Sequence, residues 1–353
     1  MPTPRLRLLA TAALALAAPA LVAGCSSTPT SGAEPSATAS SQALFSEQCQ
    51  GTVIPSLPDL PPVSEGSGTK NVSTQFGDVE LPVAPQDALG MYTTDVDILV
   101  WLRYPLADSQ PIRGDSGYTT FPCFFPYQAL AGLKTFANYP DFNYEAILAA
   151  KPDFILNGLG YDTKVVKRLA DIAPTYSVDA FDGTSWQTHF KQTAAALGRS
   201  QYYDQWEELY QQRLAEVKAR IGDPASITVA PVGFWEGKAN TGCYTGVECQ
   251  VFEDLGLTIA PVALTNNREG EALSGEQIGK LSGIDYAFST KGLGETGQKE
   301  FDAVMAEAAK NPLWNELDFV ANDHIVTYEM EMTYGSPSGQ LAFLDVVEKA
   351  LGS

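Results

Sequence analysis

The chain has 353 residues, of which 42 are Asp or Glu and 22 are Lys or Arg, so its formal net charge is −20. This acidic balance argues against a nucleic-acid partner and against a surface that attracts anions in general. An anionic ligand would therefore have to be held by a few specific cations. After an N-terminal leader and spacer, about 280 residues remain, enough for two domains of ordinary size.

The N-terminus has the pattern of an export signal. Two arginines precede an apolar run over residues 8–22, which has the length of a signal peptide and falls short of the ~20 residues that a spanning helix needs. Residues 21–25, Leu-Val-Ala-Gly-Cys, resemble the lipobox of bacterial lipoproteins, which implies that Cys25 carries the lipid. The alternative is an ordinary secretory signal with a chance cysteine. We predict a signal peptide over 1–24 and an extracytoplasmic chain held on the outer face of the cell membrane by its lipid anchor only.

A spacer and arm are predicted over residues 25–73. Residues 26–46 are almost all Ser, Thr, Ala, Pro and Gly, with too little apolar surface to offset chain entropy. Residues 55–73 are rich in Pro, Gly and Ser and are interpreted as an extended arm around the folded body.

Four cysteines follow Cys25, and an even number in an exported chain suggests disulfides. Cys243 and Cys249 share one Gly-containing loop, which makes that pair the easiest to close and leaves Cys49 with Cys123. Three pairings are possible, and this is the one we favour. No metal site is predicted, because the spacing and the shortage of His do not suit zinc.

Short apolar runs alternate with helical stretches in the first half of the body, which favours a parallel or mixed sheet with helices on both faces. The predicted elements are a helix ending over 96–102, a strand near Leu106, a helix over 144–150, a strand over 154–156, a helix over 164–172 and a strand over 175–178.

The middle of the chain predicts one long helix over 201–221. This stretch has no Gly or Pro, and its apolar residues recur at steps of three and four on a single stripe. Strands are then expected over 228–232, 258–262, 286–289 and 324–328, with helices over 250–255, 300–309 and 340–351.

The two halves also share a pattern. Glu145 and Ile147 precede Asp153 and an aromatic that opens a strand, and Glu276 and Ile278 precede Asp285 in the same way. A duplicated α/β unit bridged by one helix predicts a binding cleft between the two copies.

At this point the chain resembles the class III substrate-binding proteins of iron-siderophore, haem and cobalamin ABC transporters. Residues 145–156, Glu-Ala-Ile-Leu-Ala-Ala-Lys-Pro-Asp-Phe-Ile-Leu, are similar to that family's "E-A-I-x-A-x-K-P-D-L-I-L", and Asn-Pro-Leu-Trp at 311–314 is similar to its "N-P-L-W". The resemblance covers about residues 76–351. It implies an α/β fold of two Rossmann-like lobes joined by a single long interdomain helix. We place the N-terminal lobe at 74–198, the linking helix at 199–222 and the C-terminal lobe at 223–353.

The resemblance also implies a function, which is to capture a ferric siderophore between the lobes and deliver it to an ABC permease dimer with a cytoplasmic ATPase. It implies no covalent cofactor and no catalysis. Family positions that dock onto permease arginines match Glu145 and Glu276. Carboxylates near helix starts also favour the helix dipole, which is the simpler explanation.

Ligand-binding residues are carried over by position. Tyr161 follows the first-lobe strand as in hydroxamate-siderophore binders, and Tyr334 matches an aromatic–Gly pair near the last helix. Trp235 follows the first strand of the second lobe, and Arg268 stands where relatives have Trp or a basic residue. Arg supplies charged donors to chelate oxygens, and aromatic rings pack on the organic backbone.

Residues 111–127 are expected to form a loop over the cleft. Arg113 and Tyr118 are its candidate ligand contacts, with Tyr118 expected to be the more exposed, whereas core packing is an equal alternative for Phe124 and Phe125.

Three alternatives remain open. Haem could use Met330 or Met332 as an axial ligand. Cobalamin is the ligand of other members of the family that the chain resembles. A lipoprotein hydrolase is disfavoured because the chain has no Gly-x-Ser-x-Gly and only two His. The acidic surface favours a neutral or cationic hydroxamate chelate, whereas Arg113 and Arg268 favour an anionic chelate.

Overall fold

The computed structural model of the chain describes residues 49, 57, 66–244 and 246–352. Cys25, the signal peptide predicted over 1–24 and most of the predicted spacer therefore lie outside the described residues. Within the described ranges, no helix combines the length and the apolar character needed to cross a membrane.

The end of the predicted arm is a β-hairpin, which corrects the expectation of a loose chain up to residue 73. Strand β1 (Thr69–Thr74) pairs antiparallel with β2 (Gly77–Pro82). Val72 and Leu81 are buried in the main core, so apolar anchoring outweighs the Gly- and Ser-rich composition.

The first half of the body alternates strands and helices as predicted, although the strand expected near Leu106 lies at Ser109–Ile112 and the strands at Ala88–Gly90 and Lys134–Ala137 were not predicted. Its elements in chain order are β3 (Ala88–Gly90), α1 (Thr93–Trp101), β4 (Ser109–Ile112), β5 (Lys134–Ala137), α2 (Tyr144–Ala149), β6 (Phe154–Asn157), α3 (Thr163–Ala170), β7 (Thr175–Ser177) and α4 (Trp186–Ala196). Strands β3, β6 and β7 form an all-parallel sheet in that order, and β4 pairs in parallel with β5. All four residues of β6 are buried, as is usual for a central parallel strand.

The long helix predicted over 201–221 is confirmed as α5 (Ser200–Ile221). At ~1.5 Å per residue it is about 33 Å long. Tyr203, Trp206, Tyr210 and Val217 are buried on its predicted stripe. The indole Nε1 of Trp206 donates to the carbonyl oxygen of Pro337 at 2.9 Å, which fixes this helix to the last helix of the chain.

The second half repeats the pattern with an added hairpin. Its elements are β8 (Thr228–Pro231), β9 (Gly233–Trp235), β10 (Lys238–Thr241), α6 (Val247–Leu255), β11 (Thr258–Ile259), β12 (Glu271–Leu273), β13 (Tyr286–Lys291), α7 (Gly294–Ala308), α8 (Pro312–Asn315), α9 (Asp318–Ala321), β14 (Ile325–Glu329) and α10 (Pro337–Leu351). A parallel sheet has the order β11-β8-β13-β14, and a small antiparallel sheet has the order β12-β10-β9. The small sheet was not predicted, because its three-residue strands β9 and β12 are too short to show a period.

Helix α10 connects the two halves. Asp97 of α1 accepts hydrogen bonds from the backbone N–H and the hydroxyl of Ser338, each at 2.7 Å. The Ser338 hydroxyl oxygen in turn accepts from Trp101 Nε1 at 2.8 Å. Because these groups are buried, breaking the contact would leave polar atoms without partners. The lobe boundaries at 74–198 and 223–353 remain predictions.

The structure joins Cys49 to Cys123 and Cys243 to Cys249, the pairing favoured from the sequence, with Cα–Cα distances of 5.4 and 5.5 Å. The first pair spans 74 residues and the second only 6. Cross-linking a longer loop removes more entropy from the unfolded chain.

We expect replacement of Cys49 and Cys123 by Ser to cost about 2 kcal/mol more than the same replacement of Cys243 and Cys249. All four side chains are buried, so the second pair is a matched control for the polarity of the substitution. Urea unfolding of both double variants measures the difference, and equal losses would contradict the loop-entropy argument.

Candidate ligand-binding cleft

A pocket of about 360 Å³ lies at the carboxyl ends of β3, β6 and β7 and is called the first pocket below. Ligands of open parallel α/β sheets usually bind at this edge. Seven of its lining side chains are aromatic: Tyr92, Tyr139, Phe142, Tyr161, Phe181, Trp186 and Tyr334. Its ionisable lining groups include the carboxyl of Asp95 and the imidazole of His189.

Asp95 is held in place by the backbone around it. Its Oδ2 atom accepts the N–H of Tyr92 at 3.0 Å, at the start of α1, and the N–H of Gly158 at 3.2 Å, after β6. A Cβ on residue 158 would lie 2.9 Å from Asp95 Oδ1, so glycine is needed there. Burial raises the pKa of Asp95 to about 7, although the backbone donors oppose the shift.

A buried polar cluster lies against one wall of the first pocket. Arg113 Nη1 donates to Glu331 Oε1 at 3.2 Å, to the Tyr92 hydroxyl at 3.1 Å and to the Tyr334 hydroxyl at 3.5 Å. Glu331 also accepts from the Tyr92 hydroxyl at 2.7 Å and from the hydroxyl of Thr93. This network joins the two halves of the chain and orients two of the rings that line the pocket.

A second pocket of about 500 Å³ lies at the carboxyl ends of β8, β13 and β14. Its wall includes the buried carboxylate of Glu248, which accepts hydrogen bonds from the hydroxyls of Tyr328 and, at 2.8 Å, Thr333. Burial raises the pKa of Glu248, although these hydroxyl donors oppose the shift. Thr333 lines the second pocket and Tyr334 the first, so the two pockets adjoin. Together they are called the cleft.

Two of the predicted ligand contacts, Tyr161 and Tyr334, come together in the first pocket. Tyr161 is 58% exposed and packs edge-to-face on Phe181, with 5.6 Å between ring centroids. Tyr334 packs edge-to-face on Tyr92 at 5.8 Å. Both rings therefore present π-surface to a ligand.

The loop expected over the cleft is instead part of the core. Tyr118 was expected to be exposed, but it is only 5% exposed, and its hydroxyl accepts the backbone N–H of Glu331 at 3.3 Å. Phe124 and Phe125 are buried and pack edge-to-face at 5.1 Å. Arg113 is also buried, with an ion pair to Asp115 besides Glu331, so it supports the pocket wall rather than facing the ligand space.

Arg268 and Trp235 do not line the first pocket. Arg268 Nη1 is paired with Glu253 Oε1 at 2.8 Å, and Arg268 lines a third pocket of about 170 Å³ that shares Trp186 with the first pocket and Tyr244 and Gly246 with the second. Trp235 is 73% exposed on the short strand β9, and it is not among the lining residues of the cleft. Gly233 and Asn240 of the same unpredicted hairpin line the second pocket, whereas the ring of Trp235 is left exposed to solvent.

Several lining residues were not predicted. Trp186 is buried, yet it also lines the first pocket. Asp95 was not singled out at all. The available signal was the Asn-Gly-Leu-Gly sequence directly after β6, because glycines after a parallel strand indicate close approach of other groups to the backbone. Neither Met330 nor Met332, the candidate haem ligands, is among the described residues that line the cleft.

The two candidate docking glutamates are both exposed, but they lie in different secondary structure. Glu145 is in the first turn of α2, which Asn143 caps by accepting the N–H of Ala146 at 3.0 Å. Glu276 was expected in a helix, but it lies in a turn before the 3₁₀ helix Ile278–Leu281. The amide of Asn311 holds that turn by donating to the carbonyl oxygen of Gly275 at 2.9 Å.

Two parallel α/β sheets, one long connecting helix and a cleft at the carboxyl ends of both sheets define a two-lobed binding protein of class III. The chain belongs to the periplasmic binding protein family, whose model matches residues 92–331. This confirms the predicted family and fold.

Two curated relatives come from Bacillus subtilis strain 168. The "Iron-uptake system-binding protein" is 27% identical over 186 residues, 52% of this chain and 57% of the relative. The "Probable siderophore-binding lipoprotein YfiY" is 24% identical over 199 residues, 54% of this chain and 58% of the relative. The match therefore spans just over half of each relative.

Solved structures share the fold over most of the body. Staphylococcus aureus SirA complexed with staphyloferrin B has a TM-score of 0.63 at 20% identity, covering 80% of this chain and 98% of SirA. Bacillus subtilis FeuA complexed with ferri-bacillibactin has a TM-score of 0.62 at 19% identity, covering 80% of this chain and 98% of FeuA. At these identities the likeness concerns the fold alone.

Proposed function

We propose that the chain captures a ferric siderophore in the cleft and delivers it to an ABC permease. The observation that carries the proposal is the first pocket, in which seven aromatic side chains line the carboxyl edge of a parallel sheet between the two lobes. Aromatic faces pack well on the organic backbone of a chelate. The names of the curated relatives support an iron-siderophore ligand.

The rest of the cleft supports a ligand larger than a single ion. Both pockets together provide room for an organic chelate, and lining hydroxyls such as those of Thr290 and Thr333 can hydrogen-bond to chelate oxygens. Among the described residues, no group of three or more His, Cys, Asp or Glu is arranged to hold a bare metal ion. Iron would therefore enter as part of its chelate, and the proposal assigns no catalytic residue.

After capture, the bound chelate would be delivered to the permease. Lipidated Cys25 would keep the protein on the outer face of the cell membrane, and Glu145 and Glu276 would contact arginines of the permease dimer. Their exposure and their equivalent positions in the two lobes support this role.

We expect Tyr161→Ala to weaken the ferric chelate that binds best by about tenfold, because the ring offers exposed π-surface inside the first pocket. Isothermal titration calorimetry with ferric hydroxamate, catecholate and carboxylate chelates, haem and cobalamin identifies that ligand and gives the Kd.

Trp235→Ala is the matched control, because it removes an exposed ring outside the cleft and should change the Kd less than about twofold. A loss of affinity in Trp235→Ala with none in Tyr161→Ala would move the site out of the first pocket. Binding of haem or cobalamin without any ferric siderophore would replace the proposed ligand.

A further inference from the structure

The cleft carries carboxylates and no free basic side chain. Asp95 lines the first pocket, and Glu248, Glu269 and Glu271 line the second. None of the described residues that line either pocket is Lys or Arg. A cavity lined by one sign of charge concentrates ligands of the opposite sign.

Two arginines near the cleft are already paired with carboxylates, and one lining carboxylate, that of Glu271, is likewise paired with Lys280. Arg113 is paired with Glu331 and Asp115, and Arg268 is paired with Glu253. The only imidazole lining the described cleft, that of His189, lies 3.0 Å from a carboxylate oxygen of Asp182. An anionic chelate would therefore meet carboxylates without a matching unpaired cation, which costs free energy.

The surroundings of Asp95 specify the opposite kind of ligand. Its buried carboxyl group shares the first pocket with seven aromatic rings, of which the Tyr139 ring is already covered by the guanidinium of Arg113 at 4.5 Å from its centroid. The negative face of an aromatic ring attracts an ammonium group, and the attraction is stronger where water is excluded. A carboxylate among such rings is a counter-ion site for an alkylammonium.

The second lobe places a carboxylate in a comparable position. Asp95 is in the first turn of α1, the helix after β3, and Glu248 is in the first turn of α6, the first helix after β8. Both residues are 3% exposed and both line their pocket of the cleft. Each lobe therefore places one buried carboxyl group in the wall of the cleft.

We propose that the ligand is a ferric chelate whose organic arm carries an ammonium group, and that this arm occupies the first pocket with Asp95 as its counter-ion. The inference rests on the proposed function. Three hydroxamates neutralise Fe(III), whereas three catecholates leave a trianion, so a hydroxamate chelate with an amine arm has the required charge. The residues of the cleft thus select by charge as well as by shape.

The test compares two chelates that differ in one charge. Ferrioxamine B is a ferric trishydroxamate with a protonated primary amine, and its N-acetyl derivative has the same iron centre without that charge. We expect wild-type protein to bind the amine form at least about tenfold more tightly than the acetylated form, in line with a charge-assisted hydrogen bond. Asp95→Asn should lower the ratio of the two affinities to about one, whatever the absolute affinities of the variant.

Two controls keep the result interpretable. The circular dichroism spectrum and the thermal unfolding midpoint of Asp95→Asn show that the variant is folded. Asp97→Asn makes the same substitution on the same helix at a buried position that bonds to Ser338 outside the cleft, so the preference for the amine form should persist.

The outcomes separate this inference from the proposed function. Equal affinity of wild-type protein for both chelates, or tighter binding of an anionic ferric tris-catecholate, would overturn the charge assignment and leave siderophore capture standing. Persistence of the preference in Asp95→Asn would also overturn the role of that carboxylate. Failure of every ferric chelate to bind would overturn the proposed function itself.

Discussion

Arg113→Met is expected to lower the free energy of unfolding by about 3 kcal/mol or more. The guanidinium is 6% exposed, and Glu331, with which it pairs at 3.2 Å, is 1% exposed. Removing the cation leaves a carboxylate buried without its charge partner, although Thr93 and Tyr92 still donate to it. Urea unfolding followed by circular dichroism measures the loss.

The loss should grow with pH. Burial raises the pKa of Glu331, whereas the hydroxyls of Thr93 and Tyr92 and the charge of Arg113 lower it. Without Arg113, the pKa in the folded protein lies further above its unfolded value of about 4.3. A carboxyl with a raised folded pKa contributes stability that is present below the unfolded pKa and lost as pH rises through the folded pKa. The difference between Arg113→Met and wild type should therefore be larger at pH 8 than at pH 5.

The partner variant supplies the control for Arg113→Met. If the cost comes from an unpaired buried carboxylate, adding Glu331→Gln to Arg113→Met should restore part of the stability, because the charge disappears. A loss below about 1 kcal/mol in Arg113→Met, or a further additive loss in the double variant, would show that the pair is not coupled in this way.

Much of the framework could be predicted because it depends on local sequence. The stripe formed by Tyr203, Trp206 and Tyr210 has the period of a helix, and the apolar run at 154–156 is too short for a helix and follows Lys151-Pro152. Helix α4 escaped prediction, since four of its buried residues, Trp186, His189, Phe190 and Thr193, mix rings with polar groups and hide the apolar face.

The internal repeat was predictable for a physical reason that the structure makes explicit. Asp153, before β6, accepts the backbone N–H groups of Gln86 and Asp87 at 2.7 and 3.0 Å. Asp285, before β13, accepts the backbone N–H of Thr228 at 2.7 Å. In both lobes the repeated Asp accepts hydrogen bonds from backbone N–H groups at the start of the neighbouring strand. The sequence repeat therefore reflects the same hydrogen-bonding role in each lobe.

The site was harder to predict because the residues that contact one another in it are far apart in the sequence. Arg113 and Glu331 are 218 residues apart, so nothing near Arg113 in the sequence indicates that its charge is already paired. Tyr118 was placed on the surface because glycine and threonines surround it, yet burial was decided by the contact with Glu331. Nothing in the sequence near Asp95 distinguishes it from other helix-start carboxylates, and only the packing of α1 beside β6 shows that it lines a pocket.

Delivery of the bound chelate to the permease is expected to depend on Glu145 and Glu276. We expect Glu145→Arg together with Glu276→Arg to reduce uptake of the bound ferric chelate to below one-tenth of wild type, because reversed charges would face the arginines of the permease. Neither side chain lines the cleft, so the Kd for the chelate should stay within about twofold. Uptake of iron-55 in cells that lack the wild-type protein, together with calorimetry on the purified variant, measures both quantities.

The two glutamates are tested together because each follows a residue that lines the cleft by only a few positions in the sequence. Glu145 follows Phe142, which lines the first pocket, by three residues, and Glu276 follows Ala272 of the second pocket by four. Each glutamate therefore lies close along the chain to the wall of its own half of the cleft. A permease that binds one carboxylate on each lobe would hold the cleft over the entrance of the permease.

A matched control separates docking from net charge. Glu208 on α5 and Glu300 on α7 are also exposed, and reversing both changes the net charge by the same amount. Uptake by the Glu208→Arg and Glu300→Arg double variant should stay near wild type if position matters. Equal loss of uptake in both double variants would assign the effect to surface charge, and lost chelate affinity in the Glu145 and Glu276 variant would assign it to the cleft. Only the loss of uptake with intact affinity, confined to the first double variant, supports one docking carboxylate on each lobe.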